Sequence, residues 1–511
     1  MVAIQFLLLA TFWSICGGAK ILAVMPIPSF SHQVVFMPLW EKLLARGHEL
    51  TLLTTEPMTG TNLSNLRQID WSFAKYLFHV KHNYSNIIKK FRENKLECFN
   101  QYANMMQDIV VQELEHVEVQ RLIGNESEHF DLAIIEYLHP TMLAFSERFN
   151  CPYIGVSSMD IMSVAHDMVG NPTNPAIYTD FLAPYESSMS FYERILNTVS
   201  YIGTSVYFNL YVFPKEDVTV SKYFGKDLPK LKDIQKKVSM VFLNTHPVLH
   251  NVRPLVPNVL QIGGAIHIHK LNALPKELET FLDRAHNGAI YFSLGSNVQL
   301  SDLAEETLNM LLEVFKSLPY AVVWKSDIRR LGESTKNINN IYVSNWLPQQ
   351  EVLAHRHVKL FITQGGQQSL EEAIYYGVPL IGMPFYVDQF ANIRRLTKRG
   401  ACKTLDPQNL KKADLQNAIT EVLTNKTYSN SIKELSALLK ERAISNVDEA
   451  VWWAEYVIRH KGAKILKSEA PQFATLPIPT FGRHRATYSR RGVVFNNAVH
   501  ADEVFNQIYS V

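Results

Sequence analysis

Cysteine is scarce in this chain of 511 residues: there are four, and only Cys98, Cys151 and Cys402 lie beyond the first apolar run. Three is an odd number, and no C-x-x-C spacing occurs, so neither a disulfide framework nor a zinc site is indicated. Buried free thiols are the preferred reading. No charge sign dominates either. Fifty Lys+Arg against 48 Asp+Glu leave a formal net charge of +2, which gives no ground for a nucleic-acid partner. No G-x-S-x-G or H-E-x-x-H occurs, which disfavours a hydrolase. The first strand is not followed by G-x-G-x-x-G, which argues against a nicotinamide dehydrogenase. No internal repeat is visible.

What is present fits a globular protein. Hydrophobic residues make up 47% and charged residues 19%, and the length allows two ordinary domains, each with its own core. Ile4 to Ile15 is apolar and Gly17-Gly18-Ala19 supplies small residues, so 1–19 reads as a signal peptide, although a basic start is missing. Removal before Lys20 sends the chain into the secretory pathway, to the endoplasmic reticulum lumen or outside the cell. Sequons at Asn62, Asn83, Asn125 and Asn425 agree with that route.

Strand and helix patterns alternate along the first half. Lys20 to Met25 is a strand, 26–32 a loop ending in His32, Gln33 to Arg46 a helix stopped by Gly47, and Glu49 to Thr54 a second strand. Such βαβ units build parallel sheets with right-handed crossovers. His32 therefore lies past the carboxyl end of the first strand, where ligands bind in such sheets. Phe130 to Ile135 is another strand, with Glu136 at its end. Ile195 to Pro214 carries no charge over twenty residues but is interrupted by Asn197, Ser200, Thr204, Ser205 and Asn209. It reads as a helix over an apolar cleft, in peripheral contact with a membrane surface, rather than as a span.

The densest signal is 361–389. Lys359 to Thr363 is a buried strand, Gln364-Gly365-Gly366 a tight turn, Gln367 to Tyr376 a helix closed by Gly377 and Pro379, and Leu380 to Met383 a second strand leading to Asp388-Gln389. The first amides of such a helix lack partners and carry partial positive charge, which makes an anion site. Ser369 adds a hydroxyl in the first turn. Glu371 or Glu372 can accept from vicinal hydroxyls of a sugar.

Residues 361–389 resemble the signature segment of the UDP-glycosyltransferase family, and 20–465 is similar to its insect-type members. The resemblance implies an α/β fold of two Rossmann-like domains facing across a cleft, the GT-B type. It implies an acceptor-binding domain at 20–264, a linker at 265–288, a UDP-sugar-binding domain at 289–442, and a helix crossing back at 443–466. The tail 467–511 diverges, has no apolar anchor, and is expected to be disordered.

In that resemblance His32 is the general base and Glu136 its orienting carboxylate. Gly365, Gly366 and Ser369 hold the pyrophosphate with Ser296. Trp346 stacks on uracil and Gln349 pairs with its edge. Glu372 binds ribose, and Asp388 with Gln389 binds the sugar hydroxyls. Gln364 stands where histidine is more common, which implies weaker or altered donor binding. The implied reaction is inverting transfer of a sugar, glucose by preference, from a UDP-sugar donor to a hydroxyl of a small lipophilic acceptor. The UDP-sugar is a co-substrate; no cofactor and no metal are expected. Gln364 and the missing anchor motivate the competing reading, a binding protein for lipophiles or UDP without turnover.

Overall fold

The computed structural model describes residues 18–60, 63–90, 94–180, 183, 185, 188–298, 303–327, 331 and 338–473. The expected signal peptide, apart from Gly18 and Ala19, the Asn62 sequon and tail residues 474–511 lie outside them.

Two parallel sheets form. The first holds β1 (Lys20–Met25), β2 (Glu49–Thr54), β3 (Leu66–Asp70), β4 (Leu132–Glu136), β5 (Tyr153–Ser157), β6 (Met240–Leu243) and β7 (Val259–Gln261), in the order β3-β2-β1-β4-β5-β6-β7. The second holds β8 (Ala289–Ser293), β9 (Ala321–Lys325), β10 (Ile341–Ser344), β11 (Val358–Thr363), β12 (Leu380–Gly382) and β13 (Cys402–Thr404), in the order β10-β9-β8-β11-β12-β13. Each order reverses once, between β1 and β4 and between β8 and β11. Ligands of open α/β sheets bind at such reversals, outside the carboxyl ends of the strands.

The inner strands, such as β4, β5, β6 and β8, are buried on both faces, as parallel strands under helices must be, whereas the edge strands β3 and β13 are partly exposed. Leu22 and Val24 of β1 join one core cluster while Ile21, Ala23 and Met25 join the other, the period-2 alternation of a strand. Ile290 and Phe292 of β8 divide from Ala289 and Tyr291 in the same way.

Three local outcomes differ from the sequence reading. His32 lies in a short helix, Phe30–Val34, and a second helix starts at Met37. Pro38 is the cause: its ring and missing N–H are tolerated only in a first turn, so the helix must restart there. Within the stretch read as linker, Lys276–Asp283 is a helix whose Leu278 and Leu282 enter the second domain's core. The crossing helix is Asn446–Arg459, and it buries Ala450, Val451, Ala454 and Val457 in the first domain, while Trp452 is half exposed. The two valines each contribute about 1.5–3 kcal/mol by leaving water. Arg46 grips Glu455 through two bonds of 3.0 and 2.8 Å, and Lys42 meets Asp448 at 2.7 Å.

A buried polar cluster in the first domain gives a pH prediction. Glu216 accepts from the Thr141 hydroxyl, and burial pushes its carboxyl up to about 8. His139 lies 3.9 Å away, and burial holds it down to about 4, so the pair is neutral near pH 7. An acid with a raised folded pKa binds its proton in the folded state after the unfolded chain has lost it. Stability therefore falls as pH rises from the unfolded value to about 8, by about 1.4 kcal/mol per unit for this group. Glu216→Gln removes that loss. Its Tm, relative to the parent chain, should be higher at pH 8 than at pH 5; an equal difference at both pH values would contradict the assignment.

Candidate active site

The carboxyl ends of the two sheets face each other. Residues that follow β1, β5 and β6 touch residues that follow β8, β10 and β11. Asn297 Nδ2 donates to Ser29 Oγ at 3.1 Å, Phe30 meets Trp346 edge-on with centroids 5.2 Å apart, and Gln368 Nε2 donates to the Ser158 carbonyl at 3.1 Å.

On the first-domain side, His32 Nδ1 lies 2.8 Å from Glu136 Oε1. Glu136 ends β4 with no exposure, and its Oε2 accepts the Ile27 amide at 3.2 Å. The helix carrying His32 is fixed by its buried neighbour Gln33, which donates to the Met25 and Ile27 carbonyls at 3.1 and 2.9 Å and accepts from Thr54 Oγ1 at 2.8 Å. With Nδ1 held from the protein side, Nε2 is the atom left to act as a base. Glu113, on the helix Lys95–Glu115, is also fully buried; burial first, and then the Glu136 charge, raise its carboxyl well above the ordinary range. Both of its carboxyl oxygens are buried without a hydrogen-bond partner, an environment that disfavours the charged form.

On the other side, β11 ends at Thr363 and the helix Gln367–Tyr376 begins after Gly366, with no side chain capping its first amides. Gly365 is left-handed at φ +91°, and a Cβ there would lie 2.5 Å from Ile393 Cγ1. Gln364 is buried and accepts from Thr363 Oγ1 at 3.0 Å. Its Nε2 would lie 2.1 Å from a Cβ on Gly295 and 3.0 Å from one on Gly366. Its amide thus lies between the two glycine turns, Gly295-Ser296 after β8 and Gly365-Gly366 after β11.

Glu372 accepts from Gln349 Nε2 at 2.6 Å and Gln350 Nε2 at 3.2 Å. Gln349 also donates to Ser369 Oγ at 3.0 Å and accepts from Tyr291 OH at 3.1 Å. Its amide is thus already engaged inside the protein, and this geometry does not present the free edge expected for uracil. Gln349 instead ties Ser369 to Glu372. Glu371 is fully buried and faces His267 and Asn244 at 3.5 and 3.4 Å. That leaves Glu372 as the carboxylate nearer the cleft.

Asp388 accepts from Asn392 Nδ2 at 2.6 Å. Burial raises its carboxyl, and hydrogen bonding to Asn392 and the charges of His32 and Arg395 act the other way. His32 and Asp388 are therefore electrostatic neighbours across the cleft. The preceding residue, Val387, is left-handed at φ +53°, a strained state for a β-branched residue and one that clusters at ligand sites. Gln389 is buried, and its Oε1 accepts the amides of Phe385 and Tyr386 at 2.8 and 3.3 Å. It fixes the loop that carries Val387 and Asp388.

Four residues escaped the sequence reading. Lys325, at the end of β9, holds Nζ 4.2 Å from the Trp346 ring centroid and donates to the Gly295 carbonyl at 3.1 Å. Burial brings its ammonium down to about 8, with Glu372 opposing. Its only sequence signal was a lone lysine after Val322-Val323-Trp324. His267, inside the stretch read as linker, lies fully buried with Nδ1 3.5 Å from Glu371 and Nε2 3.3 Å from Glu372. Gln33 and Ser158 carried no signal at all. Among the described residues no cluster of His, Cys, Asp and Glu is arranged to hold a metal ion.

Two facing domains, each on a parallel sheet, make the fold of the GT-B class of glycosyltransferases. The comparisons with known proteins agree. The family profile described as UDP-glucoronosyl and UDP-glucosyl transferase matches residues 19–477. UDP-glucosyltransferase 2 of Dactylopius coccus is 32% identical, over 93% of this chain and 93% of its own length. Human UDP-glucuronosyltransferase 2B15 is 29% identical, over 86% and 85%. Among solved structures, the glycosyltransferase of kitacinnamycin matches with a TM-score of 0.59 at 18% identity, over 86% of this chain and 99% of that one, a likeness of fold. The chain belongs to the UDP-glycosyltransferase family and is an enzyme that transfers a sugar from a UDP-sugar. The non-catalytic alternative is not favoured.

Proposed function

We propose that the chain transfers glucose from UDP-glucose to a hydroxyl of a small lipophilic acceptor, with inversion at the anomeric carbon. The observation that carries this reading is the His32–Glu136 pair at 2.8 Å, set across the cleft from Asp388 and the uncapped helix tip. His32 Nε2 takes the acceptor's proton as its oxygen attacks the anomeric carbon from the face opposite UDP. The bond from that carbon to the diphosphate oxygen breaks, and UDP leaves with the electron pair. The imidazolium, stabilised by Glu136, later releases its proton to water. The amides of 366–369, with Ser296, receive the charge that develops on UDP. Glu372 would accept from the ribose, Asp388 from the sugar, and Trp346 would offer its half-exposed face to uracil. Glucose rests on the name of the insect relative.

The test offers labelled UDP-glucose and UDP-glucuronate with a panel of phenols and sterols. The expected product from the α-linked donor is a β-glucoside. Retained configuration, or glucuronate as the faster donor, would contradict the reading.

A peripheral membrane contact is part of the same proposal. The helical segment Phe191–Tyr207 and Phe208–Val212 is built inside out over 195–212. Every exposed residue from 195 to 212 is apolar or aromatic: Ile195, Val199, Ile202, Val206, Leu210 and Tyr211. The polar Asn197 and Ser200 are turned inward. At the stripe's far end a cavity of about 740 Å³ is lined by Lys222, Lys226, Lys230 and Lys232, with Asp217 and Phe213. Among the described residues no helix is long and apolar enough to cross a membrane. Apolar stripe and lysines together suit an anionic bilayer surface. The chain should co-sediment with phosphatidylserine-containing vesicles about tenfold more than the double variant Ile202→Glu, Val206→Glu. Equal sedimentation of the two proteins would refute the contact.

A further inference from the structure

Ser158 follows β5 and has no exposure to solvent. Its hydroxyl lies 2.9 Å from His32 Nδ1, the same nitrogen that Glu136 approaches at 2.8 Å. Its carbonyl accepts from Asn244 Nδ2 at 3.1 Å and, from the other domain, from Gln368 Nε2 at 3.1 Å. Gln368 is the second residue of the helix whose uncapped amides face the cleft.

One nitrogen with two partners has two protonation patterns. If Nδ1 carries the proton, it donates to Glu136, the Ser158 oxygen can accept from the same N–H, and Nε2 is a free base. If the Ser158 hydroxyl donates instead, the proton sits on Nε2 and the base is blocked. In that second pattern Glu136 loses its imidazole partner while fully buried, which is costly. The orientation of Ser158 therefore bears directly on the state of His32. Among the described residues, the carboxyl groups that act on His32 are Glu136 from its own domain and Asp388 from the other.

We propose that Ser158 and Gln368 are positioning residues through which a diphosphate at the helix tip sets the tautomer and aim of His32. This rests on the reading of His32 as the base and of the helix tip as the donor site. Gln368 already holds the Ser158 carbonyl; a diphosphate on the first turn of the helix would steady that contact and keep the Ser158 hydroxyl as an acceptor beside Nδ1. Two neighbouring contacts work in the same direction. Asn297 on Ser29 and Trp346 on Phe30 press the His32 segment against the donor half. A bound donor would thus reinforce an arrangement of the base that these contacts already set.

The experiment uses the full chain with ¹⁵N-labelled histidine, His32→Ala for assignment, and UDP as the probe. In the parent chain UDP should move the His32 ring signals toward the Nδ1–H tautomer. Gln368→Ala should keep UDP affinity within about threefold and lose that response. Ser158→Ala and Gln368→Ala should each lower kcat about tenfold, and the double variant no further, because the two act through one link. An unchanged UDP response in Gln368→Ala, or losses that multiply in the double variant, would overturn the inference while leaving the donor reading intact. Failure of the parent chain to bind UDP would overturn both.

Discussion

Replacing His32 with alanine should lower kcat by about 10²–10⁴-fold, the range for loss of a general base, and leave UDP affinity nearly unchanged. The separation follows from the architecture. His32 is held from the first domain by Glu136, Ser158 and the Gln33-pinned segment. The helix tip and Glu372 belong to the second domain and are held by their own neighbours. On the proposed reading, removing the imidazole deletes the proton acceptor and leaves the helix-tip amides where they are. Turnover with several phenols and UDP binding by calorimetry, measured on one preparation, decide the matter. Loss of both together would mean that His32 supports the fold or the donor site, and would remove it from the chemistry.

The second large effect is expected at Gly365. Alanine there must adopt φ +91°, which costs about 1–3 kcal/mol for a residue with a Cβ. The new methyl would also lie 2.5 Å from Ile393 Cγ1. Ile393 cannot easily give way, because its Cδ1 would lie 2.3 Å from a Cβ placed on Gly382 and so already packs against that glycine. The turn must shift, and with it the amides of 366–369. UDP affinity should fall by about a hundredfold, equivalent to about 2.7 kcal/mol, with a modest drop in Tm. A companion change, Ile393→Val, relieves part of the clash and should recover some Tm while leaving UDP binding weak, because the backbone strain persists. A Gly365→Ala protein that binds UDP normally would show that the tip does not hold the diphosphate.

Much of this site could be read from the chain because its parts are local. The helix Gln367–Tyr376 has the bounds expected from its composition and its closing Gly377, and β11 and β12 fall within one residue of the expected strands. Glycine turns and periodic apolar residues act over a few positions, so a short window holds the whole cause. Other features depend on residues far apart. Ser158 and Gln368 meet across 210 positions, and His267 reaches the carboxylates of Glu371 and Glu372 from a stretch that reads as plain connection. Gln349 looks like a ligand-binding amide until Tyr291, Ser369 and Glu372 are seen around it. The break between the Phe30–Val34 and Met37–Ala45 helices was local and could have been read; the proline at 38 was its signal.

The crossing helix has a practical corollary for anyone recombining such enzymes. Because Ala450, Val451, Ala454 and Val457 complete the core around β1 and the Met37–Ala45 helix, the first domain is discontinuous along the gene. A chimaera that takes its second domain from a relative should therefore keep 446–473 with residues 20–264. Cut at the midpoint alone, it would graft a foreign plug onto a native socket.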